Sequence, residues 1–498
     1  MSFKVADLYL LAPQFSLVLL ALVVMVVDLF VKRRVVIVAV ALIGLVVPLA
    51  FTISQAITLT GTHRAFFNML VIDPYSIFFQ VVFLIIAVVL ILASYDYIGK
   101  YVKADGEFYT LLLLSLAGMM FLASTGELIS MYISYELASI PLYIMAGMIR
   151  ANERSAEAAV KYVLLGAMSS AILLYGFALL YGATGTTDLV ATGGGPGIAG
   201  VVAKSLDEGN ALLLIAEVLI LAGVGFKISA VPFHMWTPDI YEGAPTTSTA
   251  FFSVGSKAAG FALLFRVFLY SNLWHLDRTS MVIIFAIVAV LTMTLGNIVA
   301  AVQSNVKRMM AYSSIAQAGY ILVGFTASFA SGRPDGIAAA LFFIMVYVIT
   351  NLGAFSGIIA LGELTGGERI EDFRGLFKRA PLLSTGTALC LLSLGGIPPV
   401  VGFFSKVVLF TASWGLGLNW LVVVALLNSI VSLVYYGRVV KVMFFDAPPK
   451  NDRLVTPIGL ATSLGVTTAA LLVLTVAVQF VLDPAHQGAL SLFAFIPK

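Results

Sequence analysis

Four ionisable side chains lie deep inside long apolar runs of this sequence: Glu136, Lys227, Lys257 and Lys406. A charged group at the centre of a bilayer costs at least about 2.5–3.5 kcal/mol on insertion scales. Several such groups in one chain therefore imply a use or a pairing. Lysine suits proton transfer because burial readily lowers the pKa of an ammonium group, whereas arginine stays charged. These residue types predict that protons pass through the interior of the protein.

The composition places these runs in a membrane. The chain has 498 residues, of which 61% are hydrophobic and only 11% are charged, whereas a soluble domain has about 25% charged residues. Apolar runs near the roughly 20 residues that a helix needs to cross hydrocarbon recur from end to end. The net charge of +3 comes from basic residues scattered over short loops. The partner indicated by the composition is therefore the lipid bilayer, and no nucleic-acid partner is expected.

Redox and nucleotide chemistry within this chain is not expected. Cys390 is the single cysteine, which excludes an iron–sulfur cluster and an internal disulfide. Of the four histidines, only His234 lies in a membrane-grade stretch, so two facing haem ligands are lacking. No glycine-rich phosphate loop is present. We therefore expect no cofactor and no metal in this chain, and we expect Cys390 to serve in packing.

Hydropathy predicts an all-α polytopic membrane protein with about fourteen transmembrane helices. The predicted spans are 8–31, 35–59, 71–94, 108–125, 127–149, 156–182, 210–240, 246–271, 279–302, 306–330, 335–362, 381–414, 418–444 and 454–482. When the N-terminus is placed outside, the loops predicted to be cytoplasmic carry most of the lysine and arginine residues, as the positive-inside rule requires. Both termini are then expected on the outer, periplasmic side.

Two of the predicted spans are too long for one straight helix. The seventh contains Pro232, and the twelfth contains Pro398 and Pro399. Proline removes a backbone donor and clashes with the preceding turn, so both helices are expected to break near mid-membrane. The breaks lie five spans apart, and two copies of a five-helix unit must be inverted because five is odd. Paired interrupted helices indicate a transport pathway.

This layout predicts four parts of the chain. They are three N-terminal helices over 1–107, a first five-helix half-channel over 108–274, an inverted second half-channel over 275–447, and a C-terminal helix with a tail over 448–498. Direct sequence similarity between the two halves is weak. The inverted repeat therefore rests on the placement of the two breaks.

Each buried charge also has a purely structural interpretation. Glu136 and Lys227 could form a static ion pair, and at about 4 Å in an effective dielectric near 20 their attraction would be about 4 kcal/mol. Lys257 and Lys406 could do no more than satisfy carbonyl groups that the breaks set free. His234 could be a histidine of the core.

Four further ionisable residues lie nearer the ends of their spans. Lys161 is close to the inner end of its span, from which a long side chain could reach the interface. Arg266 is within two turns of the outer boundary, so we expect it to be an interfacial anchor. Glu217 and Asp28 are also interpreted as residues of span ends.

Three stretches resemble a known family of membrane subunits: VPFHMWTPDIYEGAPTTSTAFFSVGSKAA (231–259), NVKRMMAYSSIAQAGY (305–320) and GGIPPVVGFFSKVVLF (395–410). They resemble the proton-translocating antiporter-like subunits of respiratory complex I. Within that family, PDIYEGAP followed by SVGSKAA looks like the subunit N, or ND2-like, type. The resemblance runs over most of the chain and is most diagnostic over 108–445. It implies fourteen helices, two inverted half-channels and a central hydrophilic axis.

The resemblance also implies roles for individual residues. Glu136 and Lys227 resemble the coupling pair of the first half-channel. Lys257 resembles the lysine of the central axis, and Lys406 resembles the terminal lysine of the second half-channel.

Two more residues match the family less directly. Lys161 resembles an auxiliary lysine near the coupling pair. His234 falls where the family often keeps a polar group after the first break.

The function implied by the resemblance is that of a proton-translocating membrane subunit of a complex I-type NADH:quinone oxidoreductase. Such a subunit is part of a translocase and is driven by quinone reduction elsewhere in the assembly. NAD, FMN, iron–sulfur clusters and quinone are then expected in partner subunits. The expected membrane partners are antiporter-like L/M-type and small K/J/A-type subunits, in a bacterial plasma membrane or a thylakoid-type membrane.

Two alternatives stay open at this point. A D-type subunit of a multi-subunit Na⁺/H⁺ antiporter would share these motifs. A structural membrane scaffold would contain the same charges as inert ion pairs, and removal of Lys227 would then leave transport unchanged.

Overall fold

Nearly all of the described chain is α-helical, because a chain in hydrocarbon satisfies its backbone polar groups only within helices or closed barrels. The computed structural model describes residues 5–102, 104–191, 195–204, 211–450 and 452–494. The first helices are α1 (Val5–Phe30), α2 (Arg34–Gly44), α3 (Val46–Thr58), α4 (Pro74–Tyr101), α5 (Asp105–Ala123), α6 (Leu128–Ala146) and α7 (Glu153–Thr184). The next are α8 (Gly197–Lys204), α9 (Ala211–Ile228), α10 (Trp236–Gly243), α11 (Thr246–Phe251), α12 (Lys257–Tyr270), α13 (Arg278–Ala301) and α14 (Val306–Ser331). The last are α15 (Asp335–Thr365), α16 (Leu376–Arg379), α17 (Pro381–Gly395), α18 (Val401–Ser413), α19 (Asn419–Phe444), α20 (Ile458–Val476) and α21 (Gln479–Phe493).

The fourteen predicted spans each correspond to a helix or a pair of helices. In the described chain, 12 segments are long and apolar enough to cross a membrane. In that count α2 with α3 forms one segment, and α11 with α12 forms another. Helix α14 and the interrupted pair α17–α18 take the two remaining predicted positions. The prediction of an all-α polytopic membrane protein is confirmed.

The third predicted span begins later than hydropathy suggested. A small β-hairpin precedes it, in which β1 (His63–Ala65) pairs antiparallel with β2 (Leu70–Ile72). The side chain of Asp73 then caps α4, since its Oδ1 accepts a hydrogen bond from the backbone N–H of Ser76 at 2.8 Å. A capping carboxylate followed by proline starts a helix at that proline.

The end of the chain also differs from the prediction. The last predicted span covers 454–482, but the observed helix α20 ends at Val476. Helix α21 follows it as a separate helix. Hydropathy did not separate it because its polar residues are mixed with apolar ones. Helix α21 packs against α15 and α4, and Gly488 approaches Leu341 and the backbone of Tyr75.

Helices α12 and α15 form the centre of the bundle. Every residue in the most apolar stretch of the α11–α12 span is buried, and the same holds for α15. In the corresponding stretches of five other helices only 39% of the residues are buried, namely in α1, α7, α13, α19 and α20. A helix that is buried on every side lies at the centre of a bundle, and a helix that is buried on one side lies at its edge. Cys390 of α17 is fully buried beside Gly353 of α15, so it serves in packing as expected.

The first break separates α9 from α10. Ser229 adopts a left-handed backbone conformation with φ 60°, and the bond from Val231 to Pro232 is cis. The freed backbone groups find partners inside the protein: the N–H of Val231 donates to Thr292 Oγ1 at 3.0 Å, and Trp236 Nε1 donates to the carbonyl of Phe226 at 2.9 Å. Such compensation is what makes irregular backbone tolerable at membrane depth.

The second break separates α17 from α18. Gly396 has φ 81°, and the bond between Pro398 and Pro399 is cis. Glycine suits this position because a positive φ carries no steric cost without a Cβ atom. The N–H of Val401 donates to Thr475 Oγ1 at 3.0 Å, which again replaces a lost helical hydrogen bond.

The bundle has two distinct ends. We call the end with the β-hairpin the hairpin face and the end with residues 366–380 the opposite face. Helix α4 starts at the hairpin and ends at Tyr101. Tyr101 lines a cavity of about 290 Å³ together with Lys307 and Glu368, so these residues lie at the opposite face. The first and last residues, 1–4 and 495–498, whose outer location was predicted, lie outside the described residues.

The charge distribution predicts which face is cytoplasmic. A reporter inserted in 366–380 is expected to behave as cytoplasmic, because this segment carries Arg369, Arg374, Lys378 and Arg379. A reporter fused to the C-terminus is expected to behave as periplasmic. Paired alkaline phosphatase and green fluorescent protein fusions measure both positions. A cytoplasmic C-terminal reporter would contradict the predicted orientation.

Candidate functional site: a row of buried lysines

Lys227 lies at the end of α9, just before the first break, and is buried. Its Nζ donates a hydrogen bond to Ser139 Oγ of α6 at 2.5 Å and lies 4.8 Å from the centre of the Tyr135 ring. A hydroxyl and an aromatic face stabilise an ammonium group without cancelling its charge. No carboxylate among the described residues is in direct contact with this lysine.

Glu136 does not form the expected close ion pair with Lys227. It is half-buried on the face of α6 that also presents the exposed Ile133 and Ile140, and its Oε1 has no hydrogen-bond partner among the described residues. Ser139 instead occupies the position facing α9. The two charges remain near enough to interact electrostatically. The rotation of α6, which hydropathy does not reveal, decides this arrangement.

Lys257 begins α12 directly after a π-helical turn at 252–256. Single π-turns inside helices are rare and are found frequently at functional sites. The buried Nζ donates to the carbonyl oxygen of Ser314 on α14. Close by on the same turn, Ser253 accepts a hydrogen bond from Asn351 Nδ2 of α15 at 2.6 Å. The lysine thus occupies a polar pocket where the central helices meet.

Lys406 lies on α18 after the second break. Its buried Nζ donates to the carbonyl of Gly395 at 2.8 Å and to Ser429 Oγ of α19 at 2.9 Å, and it lies 5.1 Å from the centre of the Tyr320 ring. The lysine stem also packs against Gly396, where an added Cβ atom would come within 2.8 Å of Cδ. The break therefore both receives the ammonium group and makes room for its stem.

A chain of polar groups on α14, one backbone carbonyl and two side chains, connects the surroundings of Lys257 and Lys406. Ser314 accepts from Lys257 through its carbonyl, and the adjacent Ser313 shares a hydrogen bond with the Tyr436 hydroxyl of α19. Gln317 Nε2 lies 3.4 Å from the Tyr436 hydroxyl and 3.3 Å from the carbonyl oxygen of Leu394. The next residue, Gly395, provides the carbonyl that accepts a hydrogen bond from Lys406.

Sequence reasoning did not assign these α14 residues to the site. Their signal was the polar pattern Ser-Ser-x-x-Gln within an otherwise apolar helix, which contributed only to the family resemblance.

Two predicted site residues are not in contact with the buried lysines. Lys161 lies at the opposite face with 40% of its side chain exposed, where it pairs with Glu157 at 2.7 Å and Asp239 at 2.9 Å. Arg308 contacts the same Asp239 at 3.0 Å, so this cluster joins α7, α10 and α14. His234 lies in the first break, half-buried, and its Nδ1 has no partner among the described residues.

Two residues interpreted as span-end residues are in fact deeply buried. Arg266 is fully buried and forms an ion pair with Asp73 at 2.6 Å, so the expectation of an interfacial anchor was wrong. It has no route to the interface because α12 is surrounded on all sides. Glu217 of α9 is also fully buried, and both its carboxylate oxygens lack hydrogen-bond partners in the described chain.

Comparison with known proteins agrees with this architecture. A family described as NADH:quinone oxidoreductase/Mrp antiporter, TM, matches residues 125–432. NAD(P)H-quinone oxidoreductase subunit 2 of Synechocystis is 46% identical over 389 residues, which is 77% of this chain and 72% of the relative. NADH-quinone oxidoreductase subunit N of Heliobacterium modesticaldum is 42% identical over 449 residues, which is 90% of each chain.

A solved structure shows the same fold. A chain of respiratory complex I from Thermus thermophilus with bound aureothin is 30% identical, with a TM-score of 0.76 over 95% of this chain and 98% of that chain. Interrupted apolar helices around buried lysines define an antiporter-like membrane protein. The chain belongs to the NADH:quinone oxidoreductase/Mrp antiporter transmembrane family. The resemblance to the subunit N type is confirmed.

The polar chain on α14 can be tested through the Tyr436 hydroxyl. Tyr436→Phe keeps the ring but removes the group that contacts Ser313 and Gln317. If protons pass along this chain, coupled proton translocation should fall about tenfold, equal to about 1.4 kcal/mol of barrier. The rate of proton translocation is measured in membrane vesicles. Tyr175→Phe is the matched control, since Tyr175 is 59% exposed on α7. Equal translocation in both variants would remove Tyr436 from the pathway.

Proposed function

We propose that this chain moves protons across the membrane as the antiporter-like subunit of a complex I-type quinone oxidoreductase, driven by quinone reduction in other subunits. The observation that carries this proposal is the row of buried lysines Lys227, Lys257 and Lys406. Each donates to a hydroxyl or a carbonyl, and no carboxylate among the described residues is in contact with any of them. Such ammonium groups can give up and regain a proton, whereas a carboxylate in contact with an ammonium group holds that group in its charged form.

Glu136 would control the proton on Lys227. At contact in an effective dielectric near 20, the carboxylate would stabilise the ammonium by about 4 kcal/mol. In the present arrangement the ammonium binds Ser139. The half-buried carboxylate lies on the face of α6 that also presents the exposed Ile133 and Ile140. A change in the position of Glu136 would therefore alternately hold the proton on Lys227 and release it.

The path of the proton follows from the placement of the breaks. We assign 108–274 and 275–447 to two inverted half-channels, because one break lies in each part and one lysine lies beside each break. Protons would enter from the opposite face, which we take to be cytoplasmic. They would pass from Lys227 to Lys257, along α14 to Lys406, and leave on the hairpin face. Both chain termini would lie on that outer side.

The partners follow from the family. Relatives of this chain are named as subunits of quinone oxidoreductases, and a structural relative is part of respiratory complex I. We therefore propose L/M-type antiporter-like subunits and small K/J/A-type subunits as membrane neighbours. NAD, FMN, iron–sulfur clusters and quinone would be bound by other subunits. The location would be a bacterial plasma membrane or a thylakoid-type membrane.

The runner-up function is that of a D-type subunit of a Na⁺/H⁺ antiporter, whose family description this chain shares. Identity of 42–46% to quinone oxidoreductase subunits favours the first function. The chains that co-purify from the native membrane separate the two, because quinone-site and iron–sulfur subunits belong to one assembly and small antiporter subunits to the other.

Replacing Lys406 tests the second half-channel. In Lys406→Ala, proton translocation and coupled quinone reduction should fall at least about tenfold, which is about 1.4 kcal/mol. The assembly should persist because removal of a buried charge relieves a burial cost. Native gels report assembly, and a pH-sensitive dye reports translocation. Lys441→Ala, an exposed lysine of α19, is the control. If the Lys406 variant fails to assemble, the residue is structural.

Replacing Glu136 tests the control of Lys227. Glu136→Gln keeps the shape and removes the charge, so translocation should fall while the complex stays assembled. Glu136→Asp should keep partial activity because the charge persists at a slightly longer range. The measurement is proton translocation together with quinone reductase activity in membranes. Unchanged translocation in the glutamine variant would leave only a static role for Glu136.

A further inference from the structure

A buried glycine of α12, Gly260, has no conformational reason to be a glycine. Its backbone has the negative φ of an ordinary helix, which alanine adopts equally well. Glycine also weakens the interior of a helix relative to alanine, because it loses more conformational freedom on folding. The reason for glycine at this position therefore lies in the space that a side chain would occupy.

The end of α9 fills the space beside Gly260. A Cβ atom added at Gly260 would come within 2.8 Å of Ile228 Cγ2, 3.2 Å of Lys227 Cγ and 3.3 Å of Lys227 Cβ. These two lysine atoms form the base of the side chain, so rotation of its flexible end cannot relieve the contact. The absence of a side chain at Gly260 thus lets the stem of Lys227 lie directly against α12.

This contact places the stem of Lys227 one helical turn from Lys257. Gly260 follows Lys257 by three residues, and residues three apart share one face of a helix with their Cβ atoms about 5–6 Å apart. Beyond the glycine, the Lys227 side chain reaches Ser139 Oγ at 2.5 Å and the Tyr135 ring. Partners on α6 therefore hold the ammonium group, and a glycine on α12 receives the base of the side chain.

The second break repeats this arrangement with Gly396 and Lys406. A Cβ atom added at Gly396 would come within 2.8 Å of Lys406 Cδ and 3.2 Å of its Cε. Gly396 also has φ 81°, which favours glycine whatever lies beside it. Gly260 has no such second reason. A substitution of Gly260 therefore changes the contact with the lysine stem without adding backbone strain.

We propose that Gly260 is a positioning residue of the proton path, whose missing side chain lets Lys227 approach Lys257 while its ammonium group stays on Ser139. This role rests on the proposed function, since it concerns proton transfer between the two lysines. The competing explanation is that Gly260 only allows Ile228 to pack closely on α12. That explanation requires the same glycine but predicts no change in the protonation of Lys227.

The variant Gly260→Ala in the assembled complex tests this role. The added methyl group displaces the base of Lys227, and the rate of translocation should fall about tenfold, since a misplacement of about 1 Å can cost up to about 100-fold in rate. Moving the ammonium group away from Ser139 and Tyr135 removes two contacts that favour its charged form. The decline of translocation on the alkaline side should therefore begin at a lower pH. A pH-sensitive dye in membrane vesicles measures the rate across the pH range, and native gels report assembly.

Gly176→Ala is the matched control. A Cβ atom added at Gly176 of α7 would come within 2.9 Å of Ile220 Cγ1 and 3.0 Å of the backbone nitrogen of Ile220. This substitution crowds the same helix α9 about as closely, but the atoms it approaches belong to no ionisable side chain. It should keep most of the translocation rate and the pH profile of the wild type.

Two outcomes overturn the proposal: a wild-type rate and pH profile in assembled Gly260→Ala, or the same loss and the same pH shift in Gly176→Ala. If Gly260→Ala does not assemble, Ile228→Ala is added to it, which removes the closest apolar atom and leaves the lysine contact. This double variant should assemble with low translocation. Wild-type translocation in the double variant, or a second failure to assemble, would assign Gly260 to packing alone.

Lys227→Ala in the same assay tests the proposed function separately. Wild-type translocation in Lys227→Ala would refute the proposed function. Lost translocation in Lys227→Ala together with a normal Gly260→Ala would refute the positioning role alone.

Discussion

Every backbone group set free inside the membrane has to find a partner within the protein, and this constraint organises the structure. The two breaks release N–H and C=O groups at mid-depth. Side chains of neighbouring helices supply the missing partners, namely Thr292 at the first break and Thr475 at the second. The carbonyl of Gly395 is satisfied by Lys406 itself. The break thus creates the acceptor that makes a buried lysine tolerable.

The buried charges divide into two classes by the kind of partner they have. Lys227, Lys257 and Lys406 contact hydroxyls and carbonyls, which stabilise an ammonium group but do not fix its charge. Arg266 has a bidentate carboxylate and two aromatic faces, which hold it charged. Residue type and partner together therefore distinguish a buried group that can release a proton from one that stays charged.

The spans and both breaks could be predicted because hydropathy and proline act locally along the chain. The relation between Glu136 and Lys227 could not, since it depends on the rotation of α6 about its axis. Arg266 was misassigned because hydropathy reports depth but not whether a helix is central in the bundle. Lys161 is bound in a surface ion-pair cluster whose other members, Asp239 and Arg308, come from distant parts of the chain. Contacts of this kind appear only after the helices are packed.

The single cysteine has a practical consequence for spectroscopy. Cys390 is completely enclosed between α17 and α15, with Gly353 against its sulfur. A maleimide or nitroxide reagent has no access to a thiol in that position, so the natural chain behaves as a cysteine-free background. One engineered cysteine on the hairpin or beside either break would therefore carry a label alone. Distances between two such labels could then follow the two halves of an interrupted helix during turnover.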